Sequence, residues 1–214
     1  DAPIGPGLLA EAGALIAPRL PRLRVAIVTE NRVAALHLDP LRAGLATAGI
    51  EAVALELPPG ESTKSWEHLG RVTEWLLDQK IERRDVVVAL GGGVIGDLVG
   101  FSCAILRRGV RLVQVPTSLL AQVDCSVWGK TGINTAQGKN LAGAFHQPSL
   151  VLADTDVLDS LGTRDFLAGY GEVMKYGLLG DAAFFSWLED NARAMAGGDM
   201  GLRVAAVKRS VQMK

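Results

Sequence analysis

As far as Asp154, short apolar runs rich in valine and isoleucine alternate with segments whose apolar positions recur every three to four residues. Arg24 to Thr29, Glu51 to Leu57, Asp85 to Leu90, Arg111 to Val115 and Leu150 to Ala153 read as strands. Pro40 to Ala48 and Ser65 to Gln79 read as helices, the second with Trp66, Leu69, Val72, Leu76 and Leu77 assigned to one face. Strand, helix and strand in repetition predict an α/β fold, a Rossmann-like parallel sheet covered by helices on both faces. Ligands of such sheets bind at the carboxyl ends of the strands. After Asp154 the pattern changes, and Val157 to Leu161, Arg164 to Gly180, Ala182 to Ala196 and Leu202 to Met213 read as helices with no strand between them. The expected organisation is an α/β domain over 1–154 and the start of an all-helical domain over 155–214. The helical pattern meets no stop signal at its end, so the second domain reads as incomplete.

Composition narrows the function classes. The net charge of -1 over 214 residues, with acids and bases mixed throughout, gives no general attraction to nucleic acid or to an anionic membrane. Cys103 and Cys125 are too few and too far apart for a disulfide framework or a paired zinc motif, which fits a reducing, cytoplasmic setting. The start of the chain carries no basic stretch followed by an apolar one, so no secretory signal is expected. Val86 to Ile105 is long enough for a membrane span, but Asp97 at its centre and five glycines argue against one.

That same stretch poses the main chemical question. Gly91, Gly92, Gly93 and Gly96 sit where a strand gives way to a helix, a place where backbone N–H groups and the positive helix end meet a pyrophosphate. Close packing of helix on strand accounts for the glycines equally well, and the spacing is not the GxGxxG fingerprint. Asp97 is expected in the first turn of the helix, placed to receive a ribose or nicotinamide donor; helix capping also accounts for it.

Val115 to Phe145 is dense in polar groups and reads as a long loop. Thr117 and Ser118 follow a strand directly, either at the ligand-binding edge or as caps of the next helix. Asp124, Lys130, Lys139 and Asn140 follow among glycines and small residues. The tetrapeptide at Trp128 to Thr131 is not a P-loop, because Asp124 stands where that motif needs glycine. Further on, Glu172 and Lys175 lie three apart on one helix face, which the small and apolar residues around them suggest is covered. His37, His68 and His146 are not spaced as a metal set, and His37 and His68 read as surface residues.

Four stretches in order, GGGVIGDLVGFSCAILRRGVRLVQVPTSLLAQVD, GKTGIN, GKNLAGAFHQP and GEVMKYG, resemble the motifs of the 3-dehydroquinate synthase family. The resemblance implies an NAD-binding α/β domain and a helical metal domain with the active site between them, usually in a homodimer. It further implies conversion of 3-deoxy-D-arabino-heptulosonate 7-phosphate to 3-dehydroquinate and phosphate, with NAD consumed and regenerated in each turnover. Zinc or cobalt would serve as the metal. Carried over by motif, Gly91, Gly92, Gly93 and Asp97 would face NAD, with Thr117 and Ser118 beside it. Glu61 and Lys64 resemble adenosine-side contacts. Asp124 would lie near the nicotinamide, Lys139 between cofactor and substrate, and Lys130, Asn140 and Lys175 on the substrate. Glu172 matches the metal-ligand glutamate, and Arg108 an arginine reaching the phosphate in the partner subunit's site.

Two departures qualify the resemblance. The family usually reads D-S-S-V-G-G-K where this chain has Asp124-Cys125-Ser126-Val127-Trp128-Gly129-Lys130, so a tryptophan replaces a glycine; it would distort the loop if that glycine needs a positive φ or touches a ligand, and otherwise pack at a surface or a subunit contact. The family also completes its zinc site with two histidines further downstream, so little or no turnover is expected from these 214 residues alone. Related sugar-phosphate cyclases share most of the motifs; iron-dependent alcohol and glycerol dehydrogenases and a non-catalytic NAD-binding module are the other readings.

Overall fold

The computed structural model describes residues 1–213. Five parallel strands form the central sheet, in the order β3 (Glu51–Leu57), β2 (Arg24–Glu30), β4 (Val86–Gly91), β5 (Arg111–Pro116), β8 (Leu150–Val151). Each inner strand is buried on both faces, which is why it reads as a continuous apolar run. Ala26, Val28, Val87 and Ala89 face α4 (Trp66–Asp78) and α5 (Gly93–Ile105); Val25, Ile27, Val86 and Val88 face α1 (Ala12–Ile16) and α3 (Asp39–Ala46). The short α2 (Asn31–Val33) runs into α3 through a π-helical turn, Ala34–Leu38.

The strand expected at Leu150 to Ala153 is broken. Leu150–Val151 joins the main sheet, while β9 (Ala153–Asp154) pairs with β1 (Ile4–Gly5) as a separate two-stranded ribbon. On α4, Leu69, Val72 and Leu76 are buried as expected, but Trp66 and Leu77 lie on the exposed side at 59% and 45%. The helix is capped by Ser65, whose hydroxyl accepts from the His68 N–H, and this sets its angular phase.

The largest correction lies in the stretch read as a loop. Lys130–Thr135 (β6) and Gly138–Phe145 (β7) form an antiparallel hairpin that packs Ile133 and Ala142 against α5. Its glycines and polar residues erase the alternation that marks a strand. They are needed nonetheless: a Cβ on Gly143 would lie 2.0 Å from the Thr131 carbonyl oxygen across the hairpin. Beyond Asp154 come a 3-10 turn at Asp156–Ser160, then α6 (Thr163–Gly180), α7 (Ala182–Ala196) and α8 (Met200–Gln212). These helices share a core of Phe166, Val173, Phe184 and Leu188, into which Leu119 and Val123 also pack. Among the described residues, no helix is long and apolar enough to cross a membrane.

Candidate active site

The sheet delivers the glycine turn to its carboxyl edge. β4 ends at Gly91 and Gly92 is the N-cap of α5, a residue with no side chain to cap the first-turn amides, so the positive end of a 13-residue helix lies at the carboxyl edge of the sheet. Gly91 is held small by packing, since its Cβ would lie 2.7 Å from that of Ile95, and Gly93 is backed by Cys125 Sγ at 3.0 Å. At Gly92 the nearest atom would be Ser118 Oγ at 3.4 Å. Packing therefore explains Gly91, whereas a Cβ at Gly92 would meet only an ordinary van der Waals contact. Gly92 lines two grooves, one of about 200 Å3 with Glu30, Pro59 and Gly93, the other of about 350 Å3 with His37, Thr117, Ser118 and Ser160. The Thr117 N–H donates to the Gly91 carbonyl at 3.0 Å, and Ser118 Oγ accepts from the Ala121 N–H at 3.3 Å, so Ser118 also caps the turn that follows.

Asp97 lies one turn further into α5 than expected, because the helix begins at Gly93 and has no acidic residue in its first turn. Capping is thereby ruled out as its role. Its Oδ2 accepts instead from Lys64 Nζ at 2.6 Å. Burial raises the Asp97 carboxyl above its ordinary value, and the Lys64 ammonium opposes that rise. Lys64 is itself only 5% exposed and also donates to Asn140 Oδ1 at 2.5 Å. Asn140 occupies the left-handed region at φ +58°, and its N–H donates to Asn134 Oδ1 at 3.0 Å. Asn134 Nδ2 donates in turn to Glu61 Oε1 at 2.8 Å, and Lys139 Nζ lies 3.8 Å from that oxygen. Glu61, Lys64, Asp97, Lys139 and Asn140 are thus brought together by the turn at Glu61–Thr63, the hairpin and α5. Asn134, which joins them, was not singled out from sequence. Its only signal was its place at the end of GKTGIN.

Beside this cluster a cleft of about 480 Å3 is lined by Asp97, Asp124, Lys130 and Asn140, with Trp128 and Phe145 on its apolar wall. The positive φ under which Trp128 would distort the loop is not found at that position. Gly129 takes that conformation at +64°, and the Trp128 carbonyl accepts from Gln147 Nε2 at 3.0 Å.

From α6, the Tyr176 hydroxyl donates to Asp124 Oδ1 at 3.4 Å and is also hydrogen-bonded to Glu172. Burial first, then the Glu172 bond, raises the Tyr176 phenol well above its usual value. Glu172 Oε1 and Lys175 Nζ are 2.5 Å apart, and this bond raises the Lys175 ammonium. The face is covered at Glu172, 17% exposed, but not at Lys175, 52% exposed. Arg108 stands apart: it is exposed, left-handed at φ +63°, and lies beyond the far end of α5, about 20 Å from the glycine turn.

Among the described residues, no three His, Cys, Asp or Glu side chains converge as a metal set. Glu172, engaged by Lys175 and Tyr176, does not by itself fit a zinc centre, which takes three or four protein donors. The histidines are dispersed, and His37 and His68 are half-buried rather than on the surface. His37 bonds Ser160 Oγ at 2.8 Å, His68 bonds Ser65 Oγ at 3.0 Å, and His146 bonds the Val110 carbonyl at 2.8 Å.

The whole chain superposes on a 2-epi-5-epi-valiolone synthase from Streptomyces hygroscopicus subsp. jinggangensis, solved with NAD+ and Zn2+ bound. The TM-score is 0.92 and the identity 30%, covering 100% of this chain and 59% of that one. An iron-containing alcohol dehydrogenase, 16% identical over 100% of this chain and 65% of its own, shares the fold with a TM-score of 0.81. The architecture is therefore that of the sugar-phosphate cyclases. More narrowly, the chain belongs to the 3-dehydroquinate synthase family: the family's N-terminal profile matches residues 54–168 and its C-terminal profile residues 169–214. A 3-dehydroquinate synthase of Ruegeria pomeroyi is 72% identical over 214 residues, which are 100% of this chain and 58% of that protein. The chain thus spans a little over half the length of such curated relatives.

Proposed function

We propose that these residues form the cofactor-binding and substrate-positioning part of a 3-dehydroquinate synthase, acting on 3-deoxy-D-arabino-heptulosonate 7-phosphate. The observation that carries the reading is the convergence of Lys64, Asp97 and Asn140 beside a cleft that also holds Asp124 and Lys130. NAD fits the grooves at Gly92: the start of α5, whose N-cap is a glycine, suits a pyrophosphate, and no side chain at Gly92 blocks its approach. When bound, NAD supplies a hydride acceptor that makes C5 of the substrate a ketone, acidifies the neighbouring C6 hydrogen and so lets phosphate leave from C7. The chain's own part is positioning. Asp97, paired with Lys64, would orient the cofactor, while Lys130, Lys139, Asn140 and Lys175 would hold the carboxylate and phosphate of the substrate. Glu172 would be one ligand of a divalent metal whose other donors lie outside the described residues.

A homodimer is part of the proposal. Arg108, remote from its own glycine turn, would serve the partner's site. The setting we propose is the cytoplasm, a reducing compartment that fits a chain with only two, widely separated cysteines. A second reading, a non-catalytic NAD-binding module, is favoured by Trp128, which stands on the cleft wall.

The test is phosphate release from 3-deoxy-D-arabino-heptulosonate 7-phosphate, with NAD and zinc, by this chain and by the chain extended over the remaining length of its relatives. Release from the extended chain alone supports the reading. Full activity of the 214 residues overturns the assignment of missing metal donors. Silence from both with NAD still bound moves the substrate to another cyclase class, or leaves a non-catalytic NAD-binding module.

A further inference from the structure

We infer that Asn134 is a positioning residue through which the cofactor side and the substrate side of the cleft are held in one arrangement. The inference rests on the reading of the site as an NAD site. Asn134 lines none of the grooves at Gly92 and is absent from the wall of the 480 Å3 cleft. It nevertheless makes three bonds to the elements that carry the site. Its N–H donates to the Lys64 carbonyl at 2.9 Å, its Nδ2 to Glu61 Oε1 at 2.8 Å, and its Oδ1 accepts from the Asn140 N–H at 3.0 Å.

The last bond fixes Asn140 in a left-handed conformation that a non-glycine residue adopts at a cost. In that conformation the Asn140 amide oxygen meets Lys64 Nζ, the same ammonium that holds Asp97. The side chain of Asn134 therefore closes a ring, Glu61 to Asn134 to Asn140 to Lys64, with Asp97 attached at the ammonium. Residues from the turn, the hairpin and α5 cannot move separately while the ring is intact. A connected polar network of this kind orders its members more than isolated pairs do.

The two side-chain bonds are separable by chemistry. Asn134→Ala removes both. Asn134→Asp keeps an acceptor for Asn140 but, when ionised, sets a carboxylate against Glu61; a proton on the new carboxyl restores the donor. Glu61, Lys139, Lys64 and Asp97 are the charged groups around that position. Lys139 is 74% exposed, so solvent screens its help to the pair of carboxylates. The backbone bond from residue 134 to the Lys64 carbonyl survives every side-chain change, so the hairpin stays docked.

The experiment is NAD titration of the chain and the two variants by tryptophan fluorescence at pH 5 and pH 8. The alanine variant is expected to bind NAD about tenfold more weakly at both pH values, the loss of a hydrogen bond to a charged acceptor. The aspartate variant should be weakened by about tenfold at pH 8 and recover at least threefold of that at pH 5, relative to the unchanged chain at each pH. A merely structural asparagine leaves the NAD affinity of the folded chain unchanged at both pH values. Binding of both variants within about twofold of the unchanged chain, or equal weakening of the aspartate variant at both pH values, overturns the inference. If the alanine variant does not fold, the aspartate variant decides. No NAD binding by the unchanged chain instead overturns the cofactor reading, and this inference with it.

Discussion

Replacing Lys64 by methionine removes an ammonium that is 5% exposed while keeping nearly the same shape. The ammonium donates to Asp97 Oδ2 at 2.6 Å and to Asn140 Oδ1 at 2.5 Å. At 2.6 Å, and with an effective dielectric constant of about 20, the charge attraction is about 6 kcal/mol, most of it offset by the desolvation of both charges. What the substitution exposes is the other half of that balance: a largely covered carboxylate without its cation. Complete burial would make that loss about 3–5 kcal/mol; Asp97, still 20% exposed, reduces it to about 2–3 kcal/mol at pH 7.5. The pH dependence identifies the cause. The Asp97 carboxyl in the fold titrates above its ordinary 3.8, so the folded state holds the extra proton, and stability from this group falls as pH rises between those two values. Without Lys64 the folded value rises further, and the variant's added penalty is full at neutral pH and shrinks as acid protonates Asp97. Urea denaturation at pH 7.5 and pH 5 should therefore give a penalty about 1 kcal/mol or more smaller at pH 5, and Asp97→Asn should remove most of the difference. A penalty equal at both pH values, or larger in acid, refutes the assignment of Lys64 as the counter-ion of Asp97.

Gly100→Ala would place a Cβ 2.3 Å from Thr131 Cγ2, where α5 crosses the hairpin, and should cost about 1–3 kcal/mol in urea denaturation; a cost under about 0.5 kcal/mol refutes the close approach. Both tyrosines of the chain are half-buried and titrate above their ordinary value of 10.0, chiefly through desolvation. Ultraviolet titration of the folded chain should therefore show little phenolate at pH 10, and stability should fall as pH rises past 10, where the unfolded chain ionises and the fold does not. Half ionisation at pH 10 in the folded chain contradicts this. Of the two cysteines, Cys103 is buried and its thiol is held protonated by desolvation, whereas Cys125 stands partly open on the cleft wall. A thiol reagent should label one cysteine in the folded chain and both in urea; two fast thiols before unfolding refute the burial of Cys103.

The sheet was legible because its strands are buried on both sides, so apolar runs mark them whatever their neighbours. The helix ends were legible where caps are local, as at Ser65 and Asp181, whose side chains accept from N–H groups three residues on. The hairpin was not, because its glycines answer to a partner strand and to α5, neither of which a local window contains. Asp97 was placed in the wrong turn for a similar reason: in a run of three glycines, the first helical residue depends on how the strand meets the helix. Trp66 and Leu77 show the limit of periodicity, which assigns a stripe but not how far the neighbouring elements extend to cover it.

Composition, charge and strand order in the chain were enough to determine an α/β sheet with a glycine turn at its carboxyl edge, and the motif order was enough to point to the family. Only the tertiary structure decided which charges meet. Lys64 resembles a contact for the adenosine end of a cofactor, yet in the fold its ammonium lies between Asp97 and Asn140, and Asn134 ties that cluster to Glu61. Such contacts join residues from a turn, a helix and a hairpin far apart in the chain. Side-chain charges interact through space, over a few ångströms, and the distance along the sequence carries no record of it.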